Sequence, residues 1–260
     1  MQILKFPAFE DNYIWGIQHK NHFLVVDPGD SSPIIDFLST NENILLNGVL
    51  ITHHHQDHVG GIEDLVNYHK RDKEKIIQIN GNEYKSLLPV LGPKNCQKFG
   101  VNFCVEGCDN VKINEFTLSI LDIPGHTEEH VGYFFDEETN FFSNPFFFCG
   151  DTLFGAGCGR VLGGSAQNLF KSLKKISKLP LNTSVFCAHE YTLANINFAH
   201  HLFPNDKKIS KRKKIVEQKR TNGISTIPTT IEEELETNPF YRCKNLDEFI
   251  VMRKQKDLWI

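Results

Sequence analysis

The run Thr52-His53-His54-His55-Gln56-Asp57-His58-Val59-Gly60-Gly61 follows an apolar stretch over residues 48–51 and opens an amphipathic one. Four groups able to hold a metal, His53, His55, Asp57 and His58, leave the end of a strand within six positions. His53 and His55 are two apart, so extended backbone turns both to the same side. Asp57 and His58 stand at a helix entry, where a tight turn can bring them to the same point. Gly60 and Gly61 carry no side chain and let that helix approach closely. Packed together, such groups repel one another when charged and desolvate poorly when neutral. A divalent cation removes both problems, and imidazole with carboxylate suits zinc, iron or manganese. The fold must therefore deliver a strand end and a helix start to one place.

Three more short apolar runs end in a residue of ligand type: His126 after Ile123-Pro124-Gly125, Asp151 after Phe148-Cys149-Gly150, and His189 after Phe186-Cys187-Ala188. Polar groups at the carboxyl ends of buried strands are how layered α/β sites are built. With the first four they make seven ligands, enough for two ions that share one carboxylate.

The rest of the chain agrees with a layered protein. Strand signals fall over residues 2–6, 13–18, 22–27, 75–80, 101–105, 116–123, 131–135, 145–149 and 184–188. Helices are expected near 31–38, over 58–71 with Ile62, Leu65, Val66 and Tyr68 or His69 inward, and around Leu169, Leu173, Ile176 and Leu179. After Glu190 the texture becomes helical, over 191–203, 206–221 and 246–258, which predicts a catalytic domain over 1–189 and a small helical domain over 190–260. The 260 residues are 40% hydrophobic and 23% charged, which excludes disordered, collagen-like and coiled-coil chains. The net charge of −4 argues against binding nucleic acid through bulk charge. The basic run 207–214 reads as a solvated helix face. With no leader-like N-terminus, and a most apolar stretch (141–149) broken by Asn144 and Pro145, the protein is expected to be cytoplasmic, off the membrane and monomeric. The seven scattered cysteines read as reduced thiols; Cys104 and Cys108 have the spacing of half a zinc site without a second half nearby.

The Thr-His-x-His-x-Asp-His segment, followed in order by a strand-end His, Asp and His, resembles the metallo-β-lactamase superfamily. Within it the chain is similar to glyoxalase II, the hydroxyacylglutathione hydrolases. The likeness spans Pro7-Ala8-Phe9, Asp11-Asn12-Tyr13, Val26-Asp27-Pro28-Gly29, Gly150-Asp151-Thr152-Leu153-Phe154, Gly157-Cys158-Gly159-Arg160, Ala188-His189-Glu190-Tyr191-Thr192, Asn238-Pro239-Phe240 and the closing Arg253-Lys254-Gln255-Lys256-Asp257. It implies an α+β fold, the αββα sandwich of that superfamily, with a small C-terminal α-helical domain that binds substrate. It also implies two divalent ions, zinc with iron or manganese as alternatives. His53, His55 and His126 would hold one, Asp57, His58 and His189 the other, and Asp151 would bridge them. Asp57 and Asp151 would be the catalytic carboxylates, Asp27 would orient a ligand imidazole, and His54 and His130 would not be ligands. The reaction implied is hydrolysis of S-D-lactoylglutathione to D-lactate and glutathione, by a hydroxide that bridges the ions, as the second step of methylglyoxal detoxification. Glutathione carries two carboxylates, and the resemblance places Arg160, Arg253 and Lys256 on them, with the Tyr191 hydroxyl as a further donor.

The chain departs from the family pattern at Glu129, where a glycine is usual, at Leu162, where many members have an aromatic residue, and at Gly163-Gly164-Ser165. The stretch 136–145 is longer than typical and reads as a surface hairpin. A one-iron enzyme similar to persulfide dioxygenases would need only part of the ligand set. A nucleic-acid-processing relative would use the basic run, and a β-lactamase would not need the helical tail.

Overall fold

A computed structural model describes residues 2–70, 75–137 and 143–259. Arg71, and residues 138–142 of the expected hairpin, lie outside the described residues. The chain forms two compact units, Met1–Asp122 with Glu129–Gly150, and Ile123–Glu128 with Asp151–Ile260.

The first unit contains β1 (Gln2–Ala8), β2 (Asn12–His19), β3 (His22–Val26), α1 (Ser32–Thr40), β4 (Leu45–Leu50), α2 (Gln56–Val59), α3 (Ile62–His69), β5 (Ile76–Ile79), β6 (Asn82–Lys85), β7 (Val90–Gly92), β8 (Phe103–Cys104), β9 (Asn110–Ile113), β10 (Phe116–Asp122), β11 (Val131–Phe135) and β12 (Phe146–Gly150). One sheet runs β1-β2-β3-β4-β7-β8, antiparallel through β3 and parallel from there on. A second ladder, β12-β11-β10-β9-β5-β6, is antiparallel. Phe23 to Val26 are all buried, the pattern of a strand covered on both faces, whereas β10 alternates buried and half-buried. Tyr133 of β11 is fully buried, and its hydroxyl donates to the Ile51 carbonyl at 2.6 Å, tying the second ladder to the end of β4. Burial holds that phenol well above its ordinary ionisation range.

The helix expected over 58–71 is two helices, α2 and α3, broken at Gly60-Gly61. The reason is steric: a Cβ on Gly60 would lie 2.5 Å from the Gly29 carbonyl and one on Gly61 2.6 Å from that of Pro28. The turn after β3 therefore packs directly on the backbone of the break, and the Gly61 amide donates to the Pro28 carbonyl at 2.8 Å. Of Tyr68 and His69, it is His69 that faces inward.

The second unit contains β13 (Leu153–Phe154), β14 (Gly157–Cys158), α4 (Ala166–Ile176), β15 (Ser184–Cys187), α5 (Thr192–Leu202), α6 (Lys207–Thr221), β16 (Thr229–Thr230), α7 (Ile231–Thr237) and α8 (Leu246–Asp257). Ser165 caps α4, which buries Leu169, Leu173 and Ile176 as the spacing predicts, whereas Leu179 lies past the helix end and is half-buried. In α6 only Ile209, Arg212 and Val216 are buried; Lys207, Lys208, Lys211 and Lys214 are exposed. Arg212 is paired inside the unit with Glu234 of α7 at 2.6 Å. Among the described residues no helix is long and apolar enough to cross a membrane.

Candidate metal centre

In the first unit, β4 ends at Leu50 and α2 begins at Gln56, so residues 51–55 turn the chain from sheet to helix. His53 Nε2 lies 3.0 Å from His55 Nδ1, and the His53 and His58 rings are centred 4.0 Å apart. Asp57 Oδ2 is 3.6 Å from His58 Nε2. His53, His55, Asp57 and His58 therefore converge as their spacing predicts. His54 points elsewhere, with its Nδ1 3.4 Å from the Asn95 amide nitrogen, and His130 stacks on the His53 ring at 4.7 Å.

The protons of these rings are set by their neighbours. Asp27 accepts from the Thr52 amide at 2.8 Å and from the Thr52 hydroxyl at 2.7 Å. That hydroxyl has spent its only proton, so it accepts from His53 Nδ1, 3.1 Å away, which places the lone pair of His53 on Nε2, facing His55 Nδ1. Asp27 Oδ2 also lies 3.0 Å from His58 Nδ1, which favours the proton there and leaves Nε2 facing Asp57. Asp57 is steadied by Asn12, whose Nδ2 donates to Oδ2 at 2.9 Å.

In the second unit one oxygen, Asp151 Oδ2, lies 3.5 Å from His126 Nε2 and 3.4 Å from His189 Nε2. His126 Nδ1 is 2.8 Å from the Arg160 carbonyl, which can only accept, so Nδ1 carries the proton and Nε2 the lone pair. The Tyr191 ring stacks on His189 at 4.8 Å and 5°. Glu190 beside it accepts from the Thr226 amide at 2.8 Å. These imidazoles and carboxylates are buried or half-buried, and imidazole nitrogen with carboxylate oxygen is the donor set that zinc, iron and manganese take.

The three expected cations all lie in the second unit, in different surroundings. Arg160 is exposed. Arg253 is buried; its Nη1 donates to the Cys158 carbonyl at 2.8 Å and the Gly159 carbonyl at 3.4 Å, and its Nη2 pairs with Asp257 at 3.0 Å. Lys256 is half-buried, 5.8 Å from the Phe198 ring centre. Burial holds its ionisation below the usual lysine range, helped by the charges of Arg253 and Arg160. Of the family departures, Glu129 is exposed and its Oε2 accepts from the Asn95 amide at 2.9 Å, starting the 3-10 turn Lys94–Phe99. Leu162 is exposed and uses only its amide here, donating to the His126 carbonyl at 2.7 Å.

Sequence reading missed Thr52, Asn12 and the Arg160 carbonyl as orienting groups. Thr52 and Asn12 stand within segments that carry the resemblance and were within reach. A backbone carbonyl has no signature in a sequence.

Comparison with known proteins bears on both halves. The family model described as metallo-beta-lactamase superfamily matches residues 9–189, and that described as hydroxyacylglutathione hydrolase C-terminus matches 190–259. The hydroxyacylglutathione hydrolase of Prochlorococcus marinus (strain MIT 9211) is 39% identical over 263 residues, covering 98% of this chain and 94% of that protein. That of Pectobacterium atrosepticum is 38% identical over 248 residues, covering 95% and 89%. Two solved structures share the fold. ETHE1 from Myxococcus xanthus has a TM-score of 0.68 at 22% identity, over 99% of this chain and 92% of that one. The BLEG-1 B3 metallo-beta-lactamase has 0.65 at 20% identity, over 92% and 99%. The chain thus belongs to the metallo-β-lactamase superfamily and, within it, to the hydroxyacylglutathione hydrolase family. Its fold is the α+β fold of that superfamily followed by a helical C-terminal region.

Proposed function

We propose that the protein hydrolyses the thioester of S-(2-hydroxyacyl)glutathione, chiefly S-D-lactoylglutathione, to the 2-hydroxy acid and glutathione. The observation that carries this is the match over residues 190–259 to the C-terminal region of hydroxyacylglutathione hydrolases, since the lactamase-like part alone serves several chemistries.

His53, His55 and His126 would hold one divalent ion and Asp57, His58 and His189 the other, with Asp151 as a ligand to both. Zinc suits the set, and iron or manganese fits the same donors. When bound, such ions make a nucleophile of water near neutral pH and stabilise the charge that develops on the thioester oxygen. The chain's own residues do the remaining work. Asp27, through Thr52 and directly, keeps the protons of His53 and His58 on Nδ1. Asn12 holds Asp57 so that one carboxylate oxygen stays oriented. Arg160 and Lys256 take the substrate carboxylates, the Tyr191 hydroxyl donates a further hydrogen bond, and Arg253, paired with Asp257, holds the segment that leads to Arg160. A thiolate leaves readily, so no strong general acid is required. The protein works as a cytoplasmic monomer on a small molecule, without nucleic acid or membrane.

The test follows loss of S-lactoylglutathione absorbance alongside metal analysis of the same sample. Hydrolysis with two ions per chain is expected. One iron per chain with oxygen uptake and no hydrolysis would favour a dioxygenase instead.

A further inference from the structure

The segment Asn238-Pro239-Phe240 carries part of the family resemblance, yet it supplies no side chain to the expected ligand or substrate set. Asn238 is fully buried. Its Nδ2 donates to the Gly157 carbonyl at 2.9 Å and to Glu234 Oε2 at 2.8 Å, and its Oδ1 accepts from the Phe240 amide at 3.1 Å. Glu234, equally buried, accepts from the Ala156 amide at 2.9 Å on Oε2 and from Arg212 at 2.6 Å on Oε1. Asn195 of α5 donates to the Gly155 carbonyl at 3.1 Å, and Arg253 of α8 reaches those of Cys158 and Gly159. Every residue from Gly155 to Gly159 is thus held through its backbone by a side chain from beyond residue 190. One of them needs holding: Ala156 sits at φ +55°, a conformation that costs energy for any residue with a Cβ.

What this clamp steadies is the next carbonyl. Arg160 O fixes the proton of His126, and two residues on the Leu162 amide holds the His126 carbonyl. Gly159 also lies against the Asp151 backbone, where a Cβ would come within 2.1 Å of the Asp151 carbonyl oxygen. A shift of the hairpin by a few tenths of an ångström would therefore reach both residues. The 2.8 Å contact from His126 has only about 0.4 Å to lengthen before leaving the hydrogen-bonding range.

We propose that Asn238 and Glu234 are positioning residues. Acting through the backbone of residues 155–160, they keep His126 in the tautomer and orientation that a metal ligand requires. This rests on the reading of His126 as a ligand, but not on the identity of the substrate.

The test uses the full-length zinc-loaded protein, labelled with nitrogen-15. The His126 Nδ1–H resonance is assigned by its loss in His126→Gln. In Asn238→Ser the side chain keeps an oxygen for the Phe240 amide but is too short to reach the Gly157 carbonyl. That variant should keep its circular dichroism and melt cooperatively. Its His126 Nδ1–H should exchange with water at least about tenfold faster. It should also release one of its two zinc ions to a chelator about three- to tenfold faster, a smaller effect than the ~10–100-fold in affinity expected when a direct partner of a ligand is removed. Glu234→Gln, which turns a donor toward Ala156 and Asn238, carries the same test should Asn238→Ser not fold. A folded variant with exchange and zinc release within twofold of wild type would overturn the proposal, leaving Asn238 as support for the fold. A His126 resonance indifferent to zinc in the wild-type protein would instead sink the ligand reading. Failure to hydrolyse S-lactoylglutathione would sink only the substrate reading.

Discussion

One oxygen of Asp151 lies within 3.5 Å of two imidazole nitrogens, a position suited to linking two ions and difficult for any other residue to replace. Asp151→Ala is expected to abolish thioester hydrolysis and lower metal content at both sites, by analysis of the purified variant. Two retained ions with normal turnover would refute the assignment. His54→Ala should keep most activity and both ions, because His54, beside Asn95 and edge-on to the His55 ring, belongs to none of the His and Asp groups able to hold an ion among the described residues. Metal loss in that variant would mean the triplet has been misread. The two-residue period of extended chain made this choice legible, since it separates His54 from its neighbours without any coordinates. Thr52 was harder to assign: its role depends on a hydroxyl proton already committed to Asp27, and hydrogen-bond direction is a property of the assembled site.

At the level of elements, α8 divides the two family cations. Arg253 and Lys256 are three apart and share a face by spacing alone, which allows substrate binding or plain solvation. The structure separates them, because Arg253 turns inward to the Cys158 and Gly159 carbonyls while Lys256 stays half-buried. Lys256→Ala should therefore mainly raise KM for the glutathione thioester and leave a small thioester without the tripeptide unaffected. The loss of one charged hydrogen bond is worth about 1.5–3 kcal/mol, roughly ten- to a hundredfold in kcat/KM. Arg253→Ala should lower kcat/KM for both substrates, since it frees carbonyls of the hairpin that leads to Arg160. The pH dependence follows from the lowered ionisation of Lys256. As pH rises its charge is lost earlier than that of an ordinary lysine, so KM for the glutathione thioester should climb at a lower pH, and Lys256→Ala should flatten that climb. The amphipathic α4 and the apolar run of β11 were legible in the residues. The β13–β14 hairpin was not, because two-residue strands have no period and this one is held by side chains far along the chain.

For the molecule as a whole, the ligand-rich segment and the repeated strand-end ligands were enough to predict a layered sheet-and-helix protein. The second unit takes residues 123–128 from the middle of the first, which local composition cannot reveal. If seven native side chains hold two ions, the unfolded chain holds them far less well. Removing metal with a chelator should then lower thermal stability by ~2.7 kcal/mol for each ion whose free concentration had been a hundredfold above its Kd, about 5–10 °C per ion for a chain of this size. A scanning calorimeter reads this directly, and an unchanged midpoint would mean the ions do not bind the native state preferentially.

The seven thiols add a final consequence. Cys104 and Cys108 are exposed, and Cys96, Cys149, Cys158, Cys187 and Cys243 are buried. Burial raises the ionisation of Cys96 to about 12 and of Cys158 and Cys243 to about 11, which withholds the reactive thiolate near neutral pH. A colorimetric disulfide reagent should therefore label two groups per chain at once and the other five only as each molecule opens. The slow phase then clocks unfolding in plain buffer, without heat or denaturant; five fast groups, or seven, would mean that the interior described above is open to solvent.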